Sequence, residues 1–189
     1  IQMIIKPAFI TPVFEFDLNN TDLNNRLRED AYLQQKNNNG RVVSNVGGFQ
    51  SNHVYDTPEV KDFFKTIVPY VEQVKKIVNY NNDLNLEGLW YNINKKGGSN
   101  KMHCHGKSIF GATYYIDAPQ DCGAIAFENL DKHIVMNSDN DAYDNPYFNG
   151  FYNLIPKANH LVVFYAWLNH QVNENKSDKD RVSLAFNIQ

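Results

Sequence analysis

Two histidines flank a cysteine in NKMHCHGKSIFGATYYID, residues 100–117. On an extended chain successive side chains alternate between faces, so His103 and His105 project together and Cys104 projects away. Neutral imidazole nitrogens suit iron, zinc, copper and nickel, and two of them one residue apart supply adjacent corners of a coordination polyhedron. A third ligand has to come from elsewhere. His170 is the candidate: it ends the strand-like run HLVVFYAWLNH and precedes a polar loop. A thiol site on Cys104 is the competing reading of this segment, but no neighbouring group argues for a lowered thiol pKa.

Near the C-terminus, RVSLAFNI (181–188) alternates in the same way. Arg181, Ser183, Ala185 and Asn187 share one face, and Val182, Leu184, Phe186 and Ile188 share the other. The second is a core face. The first begins with a planar fork of donors and a hydroxyl, which inside a barrel would seek a carboxylate or phosphate. The alternative is a surface salt bridge from Arg181 to Asp178 or Asp180.

These side chains need a scaffold, and the sequence predicts one from residue 86 onward. LEGLWYNIN, IFGATYYID, GAIAFEN, KHIVM, HLVVFYAWL and RVSLAFNI are short runs rich in β-branched and aromatic residues, separated by Gly, Pro, Asn or Asp. Many short strands at that spacing favour a sandwich or barrel. The first third reads as helical. In TPEVKDFFKTIVPYVEQVKKIVNY, Val60, Phe63, Phe64, Ile67, Val68, Val71, Val74, Ile77 and Val78 recur at three- and four-residue spacings. Thr57 and Pro58 form a cap and first turn, and Pro69 predicts a kink or two abutting helices. A weaker helix is expected over 21–35, with Asp22, Leu23, Leu27 and Ala31 marking its start and stripe. The helices would pack on one outer face of the β-core. The longest irregular stretch, 137–150, reads as a loop that is functional or mobile. Its tyrosines and phenylalanines, with Phe151 and Tyr152, could sit over the substrate, and its acidic residues Asp139, Asp141 and Asp144 read as solvated.

At 189 residues, with 42% hydrophobic and 13% aromatic residues, the chain can bury one core. We expect one domain over 1–189: a helical support region at 1–85 and a β-core with the metal site at 86–189. The mean hydropathy of -0.52 reflects abundant asparagine, a turn former. A net charge of -3 without long basic runs lacks the footprint of a nucleic-acid binder. No apolar run approaches the ~20 residues that span a bilayer, and no signal peptide is evident, so a soluble cytoplasmic protein is expected. Two cysteines are too few for a disulfide framework.

H-x-H on a strand, His170 further on and Arg-x-Ser on the last strand together resemble the Fe(II)- and 2-oxoglutarate-dependent oxygenases. The likeness is nearest to a group of small bacterial and phage members. FITPVF, GGFQS, HCHGKSIFGATYYID, PKANHLVVFYAWLNHQV and DRVSLAFN carry it along nearly the whole chain. It implies a double-stranded β-helix, a jelly-roll, cupin-like barrel, holding one Fe(II) chelated by the cosubstrate 2-oxoglutarate. His103 and His170 would be facial-triad histidines, and Arg181 with Ser183 would grip the far carboxylate. Tyr115 matches a position where relatives place a hydroxyl against that carboxylate; a buried core aromatic is its other reading. Most of the superfamily has an acid where His105 stands, so His105 is either a third ligand or leaves that place to water. Three neutral histidines around a dication leave a site charge of about +2, which the 2-oxoglutarate dianion neutralises; metal preference then shifts toward zinc, copper or nickel. Asn159-His160 replaces the glycine that relatives carry before a strand; asparagine tolerates positive φ, and His160 is expected to face solvent.

The implied activity is a dioxygenase, hydroxylase in type, in which open coordination sites admit the oxoacid and O2 beside a small-molecule or protein side-chain substrate. A cupin-like metalloprotein is the alternative, but the position four residues after His105 is Ile109 rather than glutamate, leaving Glu128 to supply an acid. A non-catalytic β-barrel binding module is a further alternative, weakened by Arg181 and the full histidine set.

Overall fold

A computed structural model describes residue 4 and residues 10–83, 85–131 and 149–189. Eleven strands and two helices are found among these residues, in the order β1 (Val13–Asp17), α1 (Thr21–Asn37), β2 (Asn45–Val46), β3 (Phe49–Gln50), α2 (Pro58–Ile77), β4 (Leu86–Asn94), β5 (Ser99–His103), β6 (Phe110–Asp117), β7 (Ile125–Glu128), β8 (Phe151–Leu154), β9 (His160–Tyr165), β10 (His170–Val172) and β11 (Arg181–Ile188). The strands form two antiparallel sheets, a six-stranded one ordered β1-β9-β6-β11-β4-β3 and a five-stranded one ordered β2-β5-β10-β7-β8. No helix among the described residues is long and apolar enough to cross a membrane.

Both helices cover the outer face of the six-stranded sheet, as expected. Asn20 caps α1 by accepting from the Leu23 N–H at 3.1 Å, and Leu23, Leu27 and Ala31 are buried. Thr57 caps α2, whose buried residues are Val60, Phe63, Ile67, Val71 and Val74; Val68 and Ile77 of the predicted stripe are exposed. Of the kink or the two abutting helices expected at Pro69, the second does not occur: α2 runs through as one helix. Pro69 lies on the exposed side, so water can solvate the backbone carbonyl that loses its partner. Polar bonds anchor the helices as well. Asp30 of α1 accepts from the Tyr91 hydroxyl at 2.8 Å and the Thr57 hydroxyl at 2.9 Å, and Asn24 donates to the Ile116 carbonyl at 2.9 Å.

The strands predicted at 86–94 and 181–188 occur with those bounds, and 109–117, 123–129 and 160–168 contain β6, β7 and β9. The strand expected at 132–136 and nearly all of the 137–150 loop lie outside the described residues. Three short strands from the helical third join the sheets: β1 pairs with β9, β2 with β5 and β3 with β4. Their two- to five-residue lengths carry too little periodicity to announce them.

Candidate metal and cosubstrate site

Register brings the first two histidines together. His103 at the end of β5 lies directly opposite His170 at the start of β10, which places their Cβ atoms within about 5.5 Å. The ring centroids are 4.3 Å apart. His105 lies two residues past the end of β5, where its N–H donates to the Ala166 carbonyl at 2.7 Å. That bond aims its ring at the same point: His105 Nε2 is 3.4 Å from His170 Nε2. One nitrogen from each of the three histidines lies within 4.8 Å of the others, a grouping able to hold a metal ion. Cys104 is exposed and is not in the cluster, in line with the alternation argument even though the strand itself stops at His103.

The backbone sets the tautomers. His103 Nδ1 lies 2.7 Å from the Lys101 carbonyl and His170 Nδ1 lies 2.9 Å from the Leu168 carbonyl. A carbonyl only accepts, so each Nδ1 carries the proton and each Nε2 offers a lone pair to the centre, the arrangement that orients metal-binding histidines. Burial holds all three below the ordinary histidine range. His105 is pushed down to about 4 and His170 to about 3, with the neighbouring imidazoles adding to the effect; His103 is lowered by burial, partly offset by the Lys101 carbonyl. Neutral rings are what ligation requires.

Glycine makes room at the cluster. A Cβ on Gly111 would lie 2.8 Å from the Phe164 ring and 3.3 Å from His105 Cδ2, so any larger residue there would displace both. Phe164 in turn packs edge-on against His170 at 4.6 Å.

Arg181, 1% exposed, lines the same cavity as the histidines. It is not a surface ion pair. Asp178 bonds Lys96 at 2.6 Å, and Asp180 accepts from the Tyr32 hydroxyl at 3.0 Å. Arg181 Nη1 is anchored on the carbonyls of Cys122 and Asn173, while Nη2 is buried without a partner. Burial lowers the Arg181 pKa, against the Tyr115 and Cys122 side chains, which raise it. Ser183 and Tyr115 line the cavity with it and lie opposite one another in the β11–β6 register. Burial raises the Tyr115 phenol.

The β11 alternation therefore holds: Arg181, Ser183 and Ala185 line the cavity, and Val182, Leu184, Phe186 and Ile188 join the core beneath the helices. Trp90, Asn92, Asn94 and Thr113 also line it and were not singled out. The signal was present, since LEGLWYNIN interleaves Trp90, Asn92 and Asn94 with Leu89, Tyr91 and Ile93. No acidic residue lines the cavity among the described residues. Glu128 accepts from Asn169 at 2.7 Å and is outside the histidine cluster.

At the preceding turn, Asn159 has φ 67°, the left-handed conformation expected of it. His160 does not face solvent freely: its Nδ1 pairs with Glu15, because β1, not predicted from the sequence, lies alongside β9.

Comparison with known proteins agrees with this geometry. A family model described as "Putative 2OG-Fe(II) oxygenase" matches residues 88–187, more than half of the chain. Among curated proteins none matches. The chain is similar to a Pseudomonas putida prolyl-4-hydroxylase, with 16% identity and a TM-score of 0.65 over 95% of this chain and 92% of that one. It is also similar to a viral collagen prolyl hydroxylase from Paramecium bursaria Chlorella virus-1, solved as a 2OG complex (14% identity, TM-score 0.63, 93% and 94% covered). A third similar structure is HygX from Streptomyces hygroscopicus with nickel and 2-oxoglutarate bound (10% identity, TM-score 0.66, 94% and 82% covered).

Proposed function

This chain belongs to the 2OG-Fe(II) oxygenase family, and from that premise we propose that it is a hydroxylase-type dioxygenase that couples oxidative decarboxylation of 2-oxoglutarate to oxidation of a small-molecule or protein side-chain substrate. Its two sheets would be the halves of a double-stranded β-helix. The observation that carries the reading is the pairing of two groups that line one cavity: three converging imidazole nitrogens, and a buried guanidinium nitrogen without a partner.

The donor set fits both absent groups. His103, His105 and His170 would hold the iron, with the tautomers of His103 and His170 set by backbone carbonyls as ligation needs. Iron with bound 2-oxoglutarate supplies the oxidising chemistry, decarboxylating the cosubstrate and reducing O2. Arg181 would meet the far carboxylate through Nη2, with Ser183 and Tyr115 adding hydroxyl donors. Charge supports this assignment. Among the described residues the cavity is lined by a buried guanidinium and three neutral imidazoles and by no acid, so a dication there favours a dianionic partner that also meets Arg181. Phe164 and Phe127, packed on His170 at 4.6 and 6.0 Å, would exclude water on one side, and Trp90 would form part of the opposite wall.

Anaerobic addition of Fe(II) and 2-oxoglutarate tests the reading through the visible charge-transfer band of the chelate. Its absence in metal-replete protein would sink the assignment. Arg181→Ala should weaken 2-oxoglutarate by about 1.5–3 kcal/mol, the worth of hydrogen bonds to a charged group, and should leave iron affinity intact.

A further inference from the structure

Trp90 links the histidine cluster to a second pair of polar rings that the oxygenase reading leaves without a role. Its indole is half-buried and lies 6.1 Å from His105, tilted by 32°. His53 stacks on the same indole at a centroid distance of 6.0 Å and 25°. His53 Nδ1 is 2.8 Å from the hydroxyl of Tyr55, which is 44% exposed. Successive ring centroids 6.1, 6.0 and 5.8 Å apart thus lead from His105 through Trp90 and His53 to Tyr55.

The Tyr55–His53 pair is built for proton transfer. The Gly88 N–H donates to the Tyr55 oxygen at 3.1 Å, and with the His53 proton on Nε2 the phenol O–H donates to His53 Nδ1. Burial lowers the His53 pKa, Arg41 lowers it further and Glu87 opposes them, so the imidazole is a neutral acceptor near pH 7. Gly88 itself is constrained by this assembly. It has φ 63° at a register break between β4 and β11, and a Cβ there would lie 3.1 Å from His53 Cε1 and 3.5 Å from the Trp90 ring. A strand that admits glycine only at this point is shaped around the His53–Trp90 stack.

We propose that Tyr55, His53 and Trp90 form a redox relay that passes one electron from the protein surface to the histidine cluster. The proposal rests on the oxygenase reading, which supplies a strong one-electron oxidant at the cluster when O2 and 2-oxoglutarate are consumed without a primary substrate. Trp90 loses an electron to that oxidant and regains one from Tyr55. At Tyr55 the O–H bond breaks, an N–H bond forms at His53 Nδ1, and a neutral tyrosyl radical and an imidazolium remain. A surface reductant can then restore the phenol. The relay would divert damage from the metal ligands and from Phe164.

The test exposes Fe(II)- and 2-oxoglutarate-loaded protein to O2 with no primary substrate, freeze-quenches it, and reads tyrosyl radical by EPR per succinate released. Wild type should show the radical. Tyr55→Phe should abolish it while leaving the initial succinate rate unchanged. Trp90→Phe, which keeps a ring but removes an oxidisable one, should cut the yield severalfold; His53→Gln, which removes the base, should do likewise and stands in if Trp90→Phe does not fold. Trp167→Phe should leave it intact, since that indole stacks on Tyr165 at 5.5 Å rather than on the cluster. Succinate release without a radical, a radical that survives Tyr55→Phe, or a yield unaffected by both Trp90→Phe and His53→Gln overturns the relay and leaves the oxygenase reading standing. No succinate release overturns that reading, and the relay falls with its oxidant.

Discussion

The six-stranded sheet has two faces built by the same strands, and they follow opposite rules. Beneath the helices, Leu89, Tyr91, Tyr114, Leu184 and Phe186 pack into a continuous core, and the two tyrosine hydroxyls in it are bonded to Asp30 and Asn24. One residue away along each strand, the inner face carries Asn92, Ser183, Arg181 and Asn187, and buried polar atoms of Asn92, Arg181 and Asn187 have no partner. Each such atom costs about 1–3 kcal/mol. The cost is tolerable on a face that a ligand completes and would be a defect on one that only packs. Alternation thus divides the labour, with one face holding the fold and the other reserved for chemistry.

Breaking the outer face should cost the most. Phe63 of α2 packs against Tyr114 at 5.1 Å and Phe186 at 5.8 Å, so Phe63→Ala should lower unfolding free energy by about 3–5 kcal/mol in urea titrations. Metal affinity of the molecules that remain folded should be unchanged. The inner face should behave in the opposite way. His103→Ala, His105→Ala and His170→Ala should each weaken metal binding by more than the ~100-fold that losing a supporting partner of a ligand costs, measured by calorimetry with Fe(II) or Co(II). Their metal-free forms should unfold at about the wild-type urea concentration. Equal losses for His103→Ala and His105→Ala would make His105 a full ligand; unchanged affinity in His105→Ala would remove it from the set.

How much of this was legible follows from the same contrast. The outer face announces itself, because Leu23, Leu27 and Ala31 of α1 and the Phe63, Ile67, Val71 series of α2 repeat with helical period, and RVSLAFNI alternates cleanly. The histidine pair and Arg181 were legible as candidates for a chemical reason: imidazole and guanidinium groups stand out by type against apolar strands. What stayed hidden depends on tertiary pairing. The meeting of His103 with His170 is a register between residues 67 positions apart in the chain, and the role of β1 in drawing Glu15 to His160 is another. Trp90 and Asn92 read locally as strand residues, and only the β4–β11 register shows that Asn92 stands beside Ser183. Pro69 did not split α2 into two helices, because its cost depends on which helix face meets water, which the sequence leaves open.

Acid should separate the faces as well, by a smaller amount. An unfolded histidine takes up a proton near pH 6.5, whereas in the folded metal-free protein His105 and His170 stay neutral down to about 4 and about 3. Between those limits the unfolded chain binds more protons, so stability rises with pH. It should be complete above about pH 6.5 and decline as the pH falls toward the folded-state values. Urea unfolding of metal-free protein at pH 7.5 and pH 5 should show the loss, and His170→Asn should reduce it. A pH slope identical in the variant would mean that the buried cluster is not its source.

The smallest effect offers the sharpest comparison, because it divides the faces at neighbouring residues. Ser183 sits in the row where Gln50 faces Asn92, Asn92 faces Ser183 and Ser183 faces Tyr115, and in the proposed assignment its hydroxyl would add one hydrogen bond to a carboxylate met by Arg181. Ser183→Ala removes that donor and almost no volume. Retaining the strand's packing, it should weaken 2-oxoglutarate by about 0.5–1.5 kcal/mol, a few-fold to roughly tenfold, with the urea midpoint unmoved. Val182→Ala, one position earlier and fully buried under the helices, should do the reverse, lowering the midpoint while sparing cosubstrate affinity. If both variants move both quantities, the two faces are energetically coupled through β11 and the division of labour fails at the strand where the sequence makes it plainest.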